Sequence, residues 1–444
     1  MSDQAMKPYC FVLMPFGTKT DESGRVVHFD SVYTELIKPA IDAAELEPIR
    51  ADEEIFGGII HKPMLERLMM CDYAIADLTT ANANVFYELG IRHGVRPHST
   101  VLLAGSGMRL PFDVKPLRAI LYDLDDDGYP EGLEEAKQVL SDRLTECRSP
   151  TDDSPLYQLV SDVPRPDLQR LKTDTFRDLV EYSQAMKKRL SRARNEGVDS
   201  VVEIEKEINV LDADPAIVVD VYLSYRAVKS YQRMVDLANQ MSPLLQQTVL
   251  VQEQLGFALN RLGRHEEAER VLLDLIDKYG DSSETNGILG RVYKDLWLKH
   301  KDQAGATARG YLDRAIETYV KGFEADWRDA YPGINAVTLM ECKDPPDPRK
   351  DEIMPVVAYS ARRRTSGRRQ DYWDHATELE LCVLSDDVDG AEERLSKALS
   401  TIRERWEPET TARNLQMLID ARASRGEECG WIESIVNELE NAST

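Results

Sequence analysis

The sequence predicts two fold classes in one chain: an α/β domain built on a small doubly wound parallel sheet, and then an all-α solenoid. In residues 1–148 short apolar runs alternate with helical periodicity, which is typical of parallel strands joined by helices. From about residue 166 to residue 440 one amphipathic helix follows another. Residues 149–165 are rich in Pro, Ser and Asp and predict a linker between the two domains.

Five apolar runs predict the strands of the sheet. They lie at residues 11–14, 46–49, 73–78, 100–104 and 118–122. Helices are predicted at residues 29–45, from Gly57 onward, at 84–93 and at 132–147. Pro39 predicts a kink or break in the first helix, and the polar residues 18–28 predict a loop. Helices between successive strands imply right-handed parallel crossovers.

An internal repeat organises the helical part. Leu255-Gly256 and Leu289-Gly290 are 34 residues apart, and each pair is followed by a later alanine, Ala268 or Ala315. This spacing is typical of tetratricopeptide repeats, in which small residues let paired helices approach closely. A weaker unit runs over residues 376–399. Stacked helix pairs predict a solenoid with a concave surface.

Composition excludes several classes of function. The 444 residues carry a net charge of −24, which disfavours binding to a nucleic acid polymer or to an anionic membrane. The sequence has no run of 18 apolar residues, so we expect no transmembrane helix. Its first ten residues lack the apolar stretch of a signal peptide, so we expect none here. The six cysteines show no CxxC spacing. We therefore expect a cytoplasmic protein with reduced thiols, no metal site and no bound cofactor.

The stretch after the third predicted strand combines two carboxylates. Asp77 ends that strand, at the edge of the sheet where ligands bind in open α/β folds. Asn82 or Asn84 caps the next helix, which carries Glu88. Two carboxylates in one crevice suit cleavage of a glycosidic bond, because one attacks the sugar and the other assists departure. Alternatively, Glu88 pairs with Arg92 on the same helix and Asp77 only caps a turn.

Residues 77–90 resemble the signature of the nucleoside 2-deoxyribosyltransferase-like superfamily, which is related in fold to Toll/interleukin-receptor domains that cleave NAD. The resemblance covers residues 10–125. It implies that Glu88 is the nucleophile on the anomeric carbon of a nucleotide or NAD-like substrate and that Asp77 is a second acidic group near the sugar or base. Related transferases build their active sites from residues of two subunits, so the resemblance also implies that a homo-oligomer is possible.

The first strand and loop carry the second part of this resemblance. Met14, Pro15, Phe16 and Gly17 match the family's loop beneath the nucleotide. The family's usual Gly-Thr before the helix is replaced here by residues 81–84, a stretch that ends in Asn84. The resemblance thus implies a substrate-binding role for the loop and for Asn84.

Residues 166–435 resemble the tetratricopeptide-type central region of apoptosis signal-regulating kinases, a TRAF-binding domain. The runs that match are 322–326, 331–335 and 371–380. In the last run either Glu378 or Glu380 is the matching acidic position. The resemblance implies a protein partner bound through the solenoid. Bacterial chains that join the two domains look like components of nucleotide-based immunity.

Several other residues are weaker candidates. Gly57-Gly58 precedes a helix and is either a phosphate-binding turn or a plain turn, and Arg50 just upstream is either an anion ligand or a surface residue. The arginines at 362–364 and 368–369 form either a solvated loop or a site for a nucleotide or acidic partner. The run at 331–335 predicts a turn between helices. Tyr372, Trp373 and Trp406 predict core aromatics rather than a stacking platform.

Two hypotheses follow for function. The first is an enzyme that cleaves or transfers at the N-glycosidic bond of a nucleotide or NAD-like substrate, regulated by the solenoid in bacterial immunity or stress signalling. The second is a non-catalytic nucleotide sensor or protein-interaction scaffold.

Overall fold

The computed structural model describes residues 7–21, 24–50, 61–108, 119–149, 151–160, 162–164, 173–211, 213–301, 305–365, 370–403 and 406–443. The chain divides into two compact units, residues 1–221 and 222–444. The sequence predicts a change from α/β to all-α structure across residues 149–165, which is a different boundary from this division. The predicted boundary stays a prediction. In the described residues no helix combines the length and the apolar character that crossing a membrane requires.

The first unit contains a six-stranded sheet with the order β4-β1-β5-β6-β7-β8. Its strands are β1 (Tyr9–Leu13), β4 (Glu47–Arg50), β5 (Tyr73–Asp77), β6 (Thr100–Gly105), β7 (Ile120–Leu124) and β8 (Pro130–Glu131). Strands β4, β1, β5, β6 and β7 pair in parallel, and β8 is antiparallel to β7. The five predicted strands are present, with the last displaced by two residues.

Helices cover both faces of the sheet. They are α1 (Phe29–Val32), a π-helical turn (Tyr33–Ile37), α2 (Lys38–Ala43), α3 (His61–Met70), α4 (Ala83–Val95) and α5 (Leu133–Glu146). Because side chains alternate along a strand, Cys10 and Val12 of β1 join a core with α1, α2 and α5. Phe11 and Leu13 join a second core with α3 and α4. The sheet is therefore the centre of a three-layer α/β unit.

Two local predictions in this unit are corrected by the structure. The predicted loop 18–28 contains an antiparallel strand pair, β2 (Thr18–Thr20) and β3 (Val26–His28). At Pro39, where a kink or break is predicted, the helix is not broken but contains a widened, π-helical turn. Pro39 lies in the first turn of α2, directly after the π-helical turn, where its missing N–H costs least.

The segment after the sheet is held by hydrogen bonds. Asp153 accepts from the backbone N–H of Thr100 at 2.9 Å, and Ser154 Oγ donates to the carbonyl of His93 at 2.8 Å. Helices α6 (Pro155–Leu159), α7 (Thr173–Glu196) and α8 (Val198–Lys206) follow, and α9 (Pro215–Ala227) spans the division between the units. The start of the predicted linker is thus anchored to α4 and β6.

The described part of the second unit is helical. Its helices are α10 (Tyr231–Ala238), α11 (Pro243–Gln246), α12 (Val249–Arg261), α13 (His265–Tyr279), α14 (Ser283–His300), α15 (Ala306–Ala325), α16 (Ala330–Glu341), α17 (Lys350–Thr365), α18 (Tyr372–Leu384), α19 (Val388–Ser400), α20 (Trp406–Ser424) and α21 (Gly430–Ser443). Consecutive helices pack in pairs, and the first helices of neighbouring pairs, α12, α14, α16, α18 and α20, also contact one another in sequence. The structure is therefore a stack of helix pairs.

Glycines at the helix crossings set the spacing within these pairs. A Cβ atom on Gly256 would lie 2.8 Å from the Leu272 side chain, and one on Gly290 would lie 2.8 Å from the ring of Tyr319. The close approach of helices predicted at the two Leu-Gly pairs is confirmed. Ala268 and Ala315 are fully buried, and their role at a helix crossing stays a prediction. The run at 331–335, predicted as a turn, lies inside α16 instead, and a Cβ on Gly333 would clash with Val357.

We expect Gly290→Ala to lower the free energy of unfolding by about 1–3 kcal/mol, because the buried Tyr319 ring cannot yield to the added methyl group. Gly310, on α15, has nothing within 4 Å of its Cβ position. Gly310→Ala is the matched control and should stabilise the protein by about 0.5–1 kcal/mol through helix propensity. Urea unfolding of the full chain measures both. Two substitutions with the same effect would contradict the close-approach interpretation.

Candidate functional site

Asp77 lies at the carboxyl end of β5, as predicted, and it is the centre of a buried hydrogen-bond cluster. Its side chain accepts from the backbone N–H of Thr79 at 3.0 Å, from the Thr79 hydroxyl, and from the Tyr122 hydroxyl at 2.9 Å. The Thr79 and Tyr122 oxygens are themselves 2.7 Å apart, and Thr79 Oγ1 accepts from the N–H of Gly105. The cluster joins β5, β6 and β7.

Proton counting explains the electrostatics of this cluster. Three oxygen–oxygen contacts link Asp77, Thr79 and Tyr122, yet two hydroxyl groups supply only two protons. A third proton is available only when the Asp77 carboxyl group is itself protonated. Burial raises the pKa of Asp77 to about 6, although the hydrogen bonds from Thr79 and Tyr122 oppose that rise. Asp77 therefore holds its proton to a higher pH than an exposed aspartate does.

Glu88 lies on α4 with no hydrogen-bond or ion-pair partner among the described residues, and it is half-buried. Burial raises its pKa to about 7. The alternative in which it pairs with Arg92 is wrong, since the Arg92 guanidinium is fully buried and donates to the carbonyls of Leu68, Cys71 and Asp72. No hydrogen bond in the described part of the chain joins Glu88 to Asp77.

The residues predicted to lie beneath a nucleotide directly follow the carboxyl end of β1. Met14 and Pro15 are buried, and Phe16 and Gly17 are half-exposed. Gly17 has a φ of +65° and its N–H donates to Asp30. The same carboxylate forms a 2.6 Å ion pair with Arg50, whose guanidinium lies over the Tyr33 ring. Arg50 is thus buried, and its ion pair with Asp30 links it to the loop at Gly17.

Two of the remaining predictions concern the starts of helices. The N-cap of α4 is Asn82, whose side chain accepts from the N–H groups of Asn84 and Val85. Asn84 itself is exposed in the first turn of α4. Gly57 and Gly58 lie outside the described residues. In the described part, the predicted site therefore consists of separate groups along one edge of the sheet.

The second unit contains a feature that we did not predict residue by residue, a groove of about 930 Å³. We call it the inner groove. It is lined mainly by the first helices of the pairs, α12, α14, α16, α18 and α20, together with residues around α9 and α10. The repeat spacing in the sequence predicted a concave surface. The side chains that line it were not identifiable, because their positions depend on how successive pairs stack.

A buried lysine lies behind the floor of the inner groove. Lys294 Nζ donates to the side-chain oxygens of Asn335 at 3.1 Å and Asn414 at 3.0 Å, and Asn414 donates onward to Glu380. Burial lowers the pKa of Lys294 to about 8 and raises that of Glu380. Because the network joins α14, α16, α18 and α20, it fixes the helices that form the floor.

Aromatic side chains line the walls of the groove. Tyr331 is 49% exposed and Trp406 is 44% exposed. The rings of Trp373 and Trp406 are 5.5 Å apart. The prediction of core aromatics holds for Tyr372, which is fully buried, and is wrong for Trp406. The predicted arginine cluster begins at the end of α17 with Arg362 and Arg363, and the rest of it lies outside the described side chains.

Comparison with known proteins identifies the chain's relatives. The profile of the MAP3K TRAFs-binding domain matches residues 85–437. Mitogen-activated protein kinase kinase kinase 15 of Mus musculus is 22% identical over 91% of this chain and 32% of that protein. Mitogen-activated protein kinase kinase kinase 6 of Homo sapiens is 25% identical over 73% of this chain and 27% of that protein. The chain thus spans about a third or less of the length of these relatives.

The solved structures similar to this chain include a thermophilic TPR protein of Thermus thermophilus. It is 14% identical, with a TM-score of 0.35, over 46% of this chain and 99% of that chain.

The alignment with the mouse kinase covers 91% of this chain. It therefore includes much of residues 1–148 as well as the helical residues that follow them.

These matches correct the functional prediction. The resemblance to a TRAF-binding region is confirmed, and the profile begins at residue 85 rather than near 166. The prediction of a nucleotide-binding hydrolase of the N-glycosidase type is wrong, because the matching family is a binding domain and the relatives are signalling kinases. The roles predicted for Glu88 and Asp77 are not tested by any match and stay predictions.

We expect Asp77→Asn to change how stability depends on pH. Between about pH 4 and 6 the folded wild-type protein holds a proton on Asp77 that the unfolded chain has released, so its stability falls as pH rises. The neutral variant lacks this loss, so its free energy of unfolding should rise by about 2 kcal/mol relative to that of the wild type between pH 4 and 6. Urea unfolding at several pH values measures the difference.

The same substitution at Asp42, an exposed carboxylate on α2, controls for the loss of one formal charge. A stability difference between Asp77→Asn and the wild type that stays constant from pH 4 to 7 would show that Asp77 is ionised throughout. The proton-sharing cluster would then be rejected.

Proposed function

The chain belongs to the MAP3K TRAFs-binding domain family, and from that premise we propose that it is a non-catalytic scaffold which binds a protein partner in the inner groove. The family description names TRAF proteins as the bound class, and a partner of that class is the proposal for this chain. The observation that carries it is the groove itself, open along the first helices of successive pairs.

The residue types in the groove support a protein partner. Tyr331, Trp373 and Trp406 line its walls together with arginines. Trp, Tyr and Arg are the residues that contribute most to binding energy at protein interfaces. A volume of about 930 Å³ is near the upper end of small-molecule pockets, and exposed indole rings along an open surface suit an extended peptide segment.

The packing of the floor supports a preformed surface. The Lys294 network joins the floor helices, and Gly290 and Gly333 hold neighbouring helices at close distance. A rigid surface loses little conformational freedom on binding, so more of the contact energy remains as affinity. We propose on the same grounds that the helical unit is a solenoid of the tetratricopeptide-repeat type.

The α/β unit is proposed to act with the helical unit rather than as a separate enzyme. The family profile begins inside it, at residue 85, and the alignment with the mouse kinase runs through much of it. Asp77, Arg92 and Arg50 contribute to its internal hydrogen bonding. These contacts are consistent with a structural part of a binding protein. Its resemblance to the deoxyribosyltransferase-like fold stays a proposal about fold.

We expect Trp406→Ala to weaken binding of a purified TRAF protein to the full chain by at least tenfold, because the substitution removes an exposed indole from the groove wall. Trp327 is a matched control: it is 52% exposed in the same unit but does not line the groove. Trp327→Ala should bind like the wild type. Biolayer interferometry measures both affinities, and equal losses in the two variants would argue against the groove.

A further inference from the structure

The inner groove carries a charge pattern that identifies the chemistry of its occupant. Resting on the scaffold function above, we propose that it binds an acidic peptide segment of the partner protein. The carboxylates of this segment would face Arg226, Lys229 and Arg261, and an apolar side chain would pack on Trp373 and Trp406. The proposal names the partner's chemistry, which the family description does not.

The sign of the charge in the groove is opposite to that of the chain. The full sequence has 79 Asp+Glu against 55 Lys+Arg, whereas among the described residues that line the groove five of the eight Asp, Glu, Lys and Arg residues are basic. In a protein with a net charge of −24, acidic ligands are repelled by most of the surface. A basic groove therefore attracts such a ligand and favours it over neutral competitors.

The cations beside α12 are held in place without a direct ion pair to a described carboxylate. The guanidinium groups of Arg226 and Arg261 lie 4.7 and 5.0 Å from the centre of the Phe257 ring. Arg226 also donates to the side-chain carbonyl of Gln254 at 2.7 Å. Among the described residues no carboxylate forms a direct ion pair with either arginine or with Lys229. Arg226 interacts at longer range with Glu284, whose pKa is nevertheless raised because that carboxyl group is buried.

The two guanidinium groups lie against one ring, so both add to the positive potential of this part of the groove. The ring contacts hold both groups in place while leaving them without a direct carboxylate partner among the described residues. A ligand carboxylate beside either group would gain charge-assisted hydrogen bonds. This part of the groove is therefore suited to bind an anionic group of a ligand.

The opposite part of the groove fits an apolar side chain. The tilted rings of Trp373 and Trp406 are supported by Tyr372, whose ring meets Trp373 edge to face at 5.3 Å. On this side Arg413 is already paired with Glu409 at 2.8 Å. The charge of Arg413 is thus paired within the protein, in contrast with the cations beside α12. A ligand that satisfies both parts has acidic residues at one end and an apolar residue at the other.

Fluorescence polarisation with the full chain tests this. The probe is a labelled peptide of about ten residues with several Glu residues followed by Trp, and its partner probe has Gln at every Glu position. We expect the Glu peptide to bind at least tenfold more tightly, and its affinity to fall as salt rises because exposed charges are screened. Equal binding of the Glu and Gln peptides would overturn the proposal.

Variants locate the contact. Arg226→Gln combined with Arg261→Gln should weaken the Glu peptide at least tenfold while leaving the Gln peptide unaffected. Arg309→Gln is the matched control, since Arg309 is exposed on α15 and does not line the groove. Lys229→Gln is a second groove variant that disturbs no contact with Phe257. It should also weaken the Glu peptide and keeps the test decisive if the double variant fails to fold.

The outcomes separate this proposal from the scaffold function. If Trp406→Ala weakens the TRAF protein but the arginine variants do not affect the Glu peptide, the groove binds protein and the acidic specificity is wrong. If the arginine variants weaken binding of the Glu peptide while Trp406→Ala leaves the affinity for the TRAF protein unchanged, the acidic site is supported and the TRAF assignment is wrong. A single-stranded oligonucleotide of equal length that binds more tightly than the Glu peptide would also overturn the proposal.

Discussion

Close approach of paired helices at glycine is the constraint on which the second unit depends. Gly256 faces Leu272, Gly290 faces Tyr319, and in each case the space for a Cβ atom is already occupied. With larger residues the helices of a pair would separate, and the first helices of successive pairs would no longer meet. The inner groove is formed by those first helices, so its shape depends on these crossings.

Buried charge imposes a second constraint on the same unit. Lys294 is 2% exposed and bonds to two asparagine oxygens. At a separate helix crossing, Glu341 accepts from Lys350, Arg422 and Arg425. Burial alone would raise the pKa of Glu341, but the hydrogen bond from Lys350 and the surrounding cations lower it. A buried ion without such partners would cost several kcal/mol, so these networks restrict how the helix pairs can stack.

The α/β unit illustrates how residues that suggest chemistry can act as structure. Arg92 lies at helical spacing from Glu88, yet it turns into the interior and bonds to carbonyls at the end of α3 and the turn that follows it. Asp77 lies at the carboxyl end of β5, where a ligand site is predicted, but bonds to Thr79 just after that strand and to Tyr122 of β7. In both cases a buried polar group is satisfied by distant parts of the chain. Glu88, with its raised pKa, is the member of the predicted pair that stays without a partner in the described region.

Local pattern in the sequence determined the order of strands and helices, the Leu-Gly crossings and the resemblance to a TRAF-binding region, because periodicity and small-residue spacing act over a few turns of chain. Tertiary structure alone decided the partners of Asp77 and Arg92, since Tyr122 and Cys71 are far from them in sequence. It also decided that the 331–335 run is helical and that Trp406 lines a groove instead of a core. The inner groove brings together Arg226, Trp373 and Asn414 from three separate helices. No local pattern encodes that meeting, because it depends on how each helix pair packs on the next.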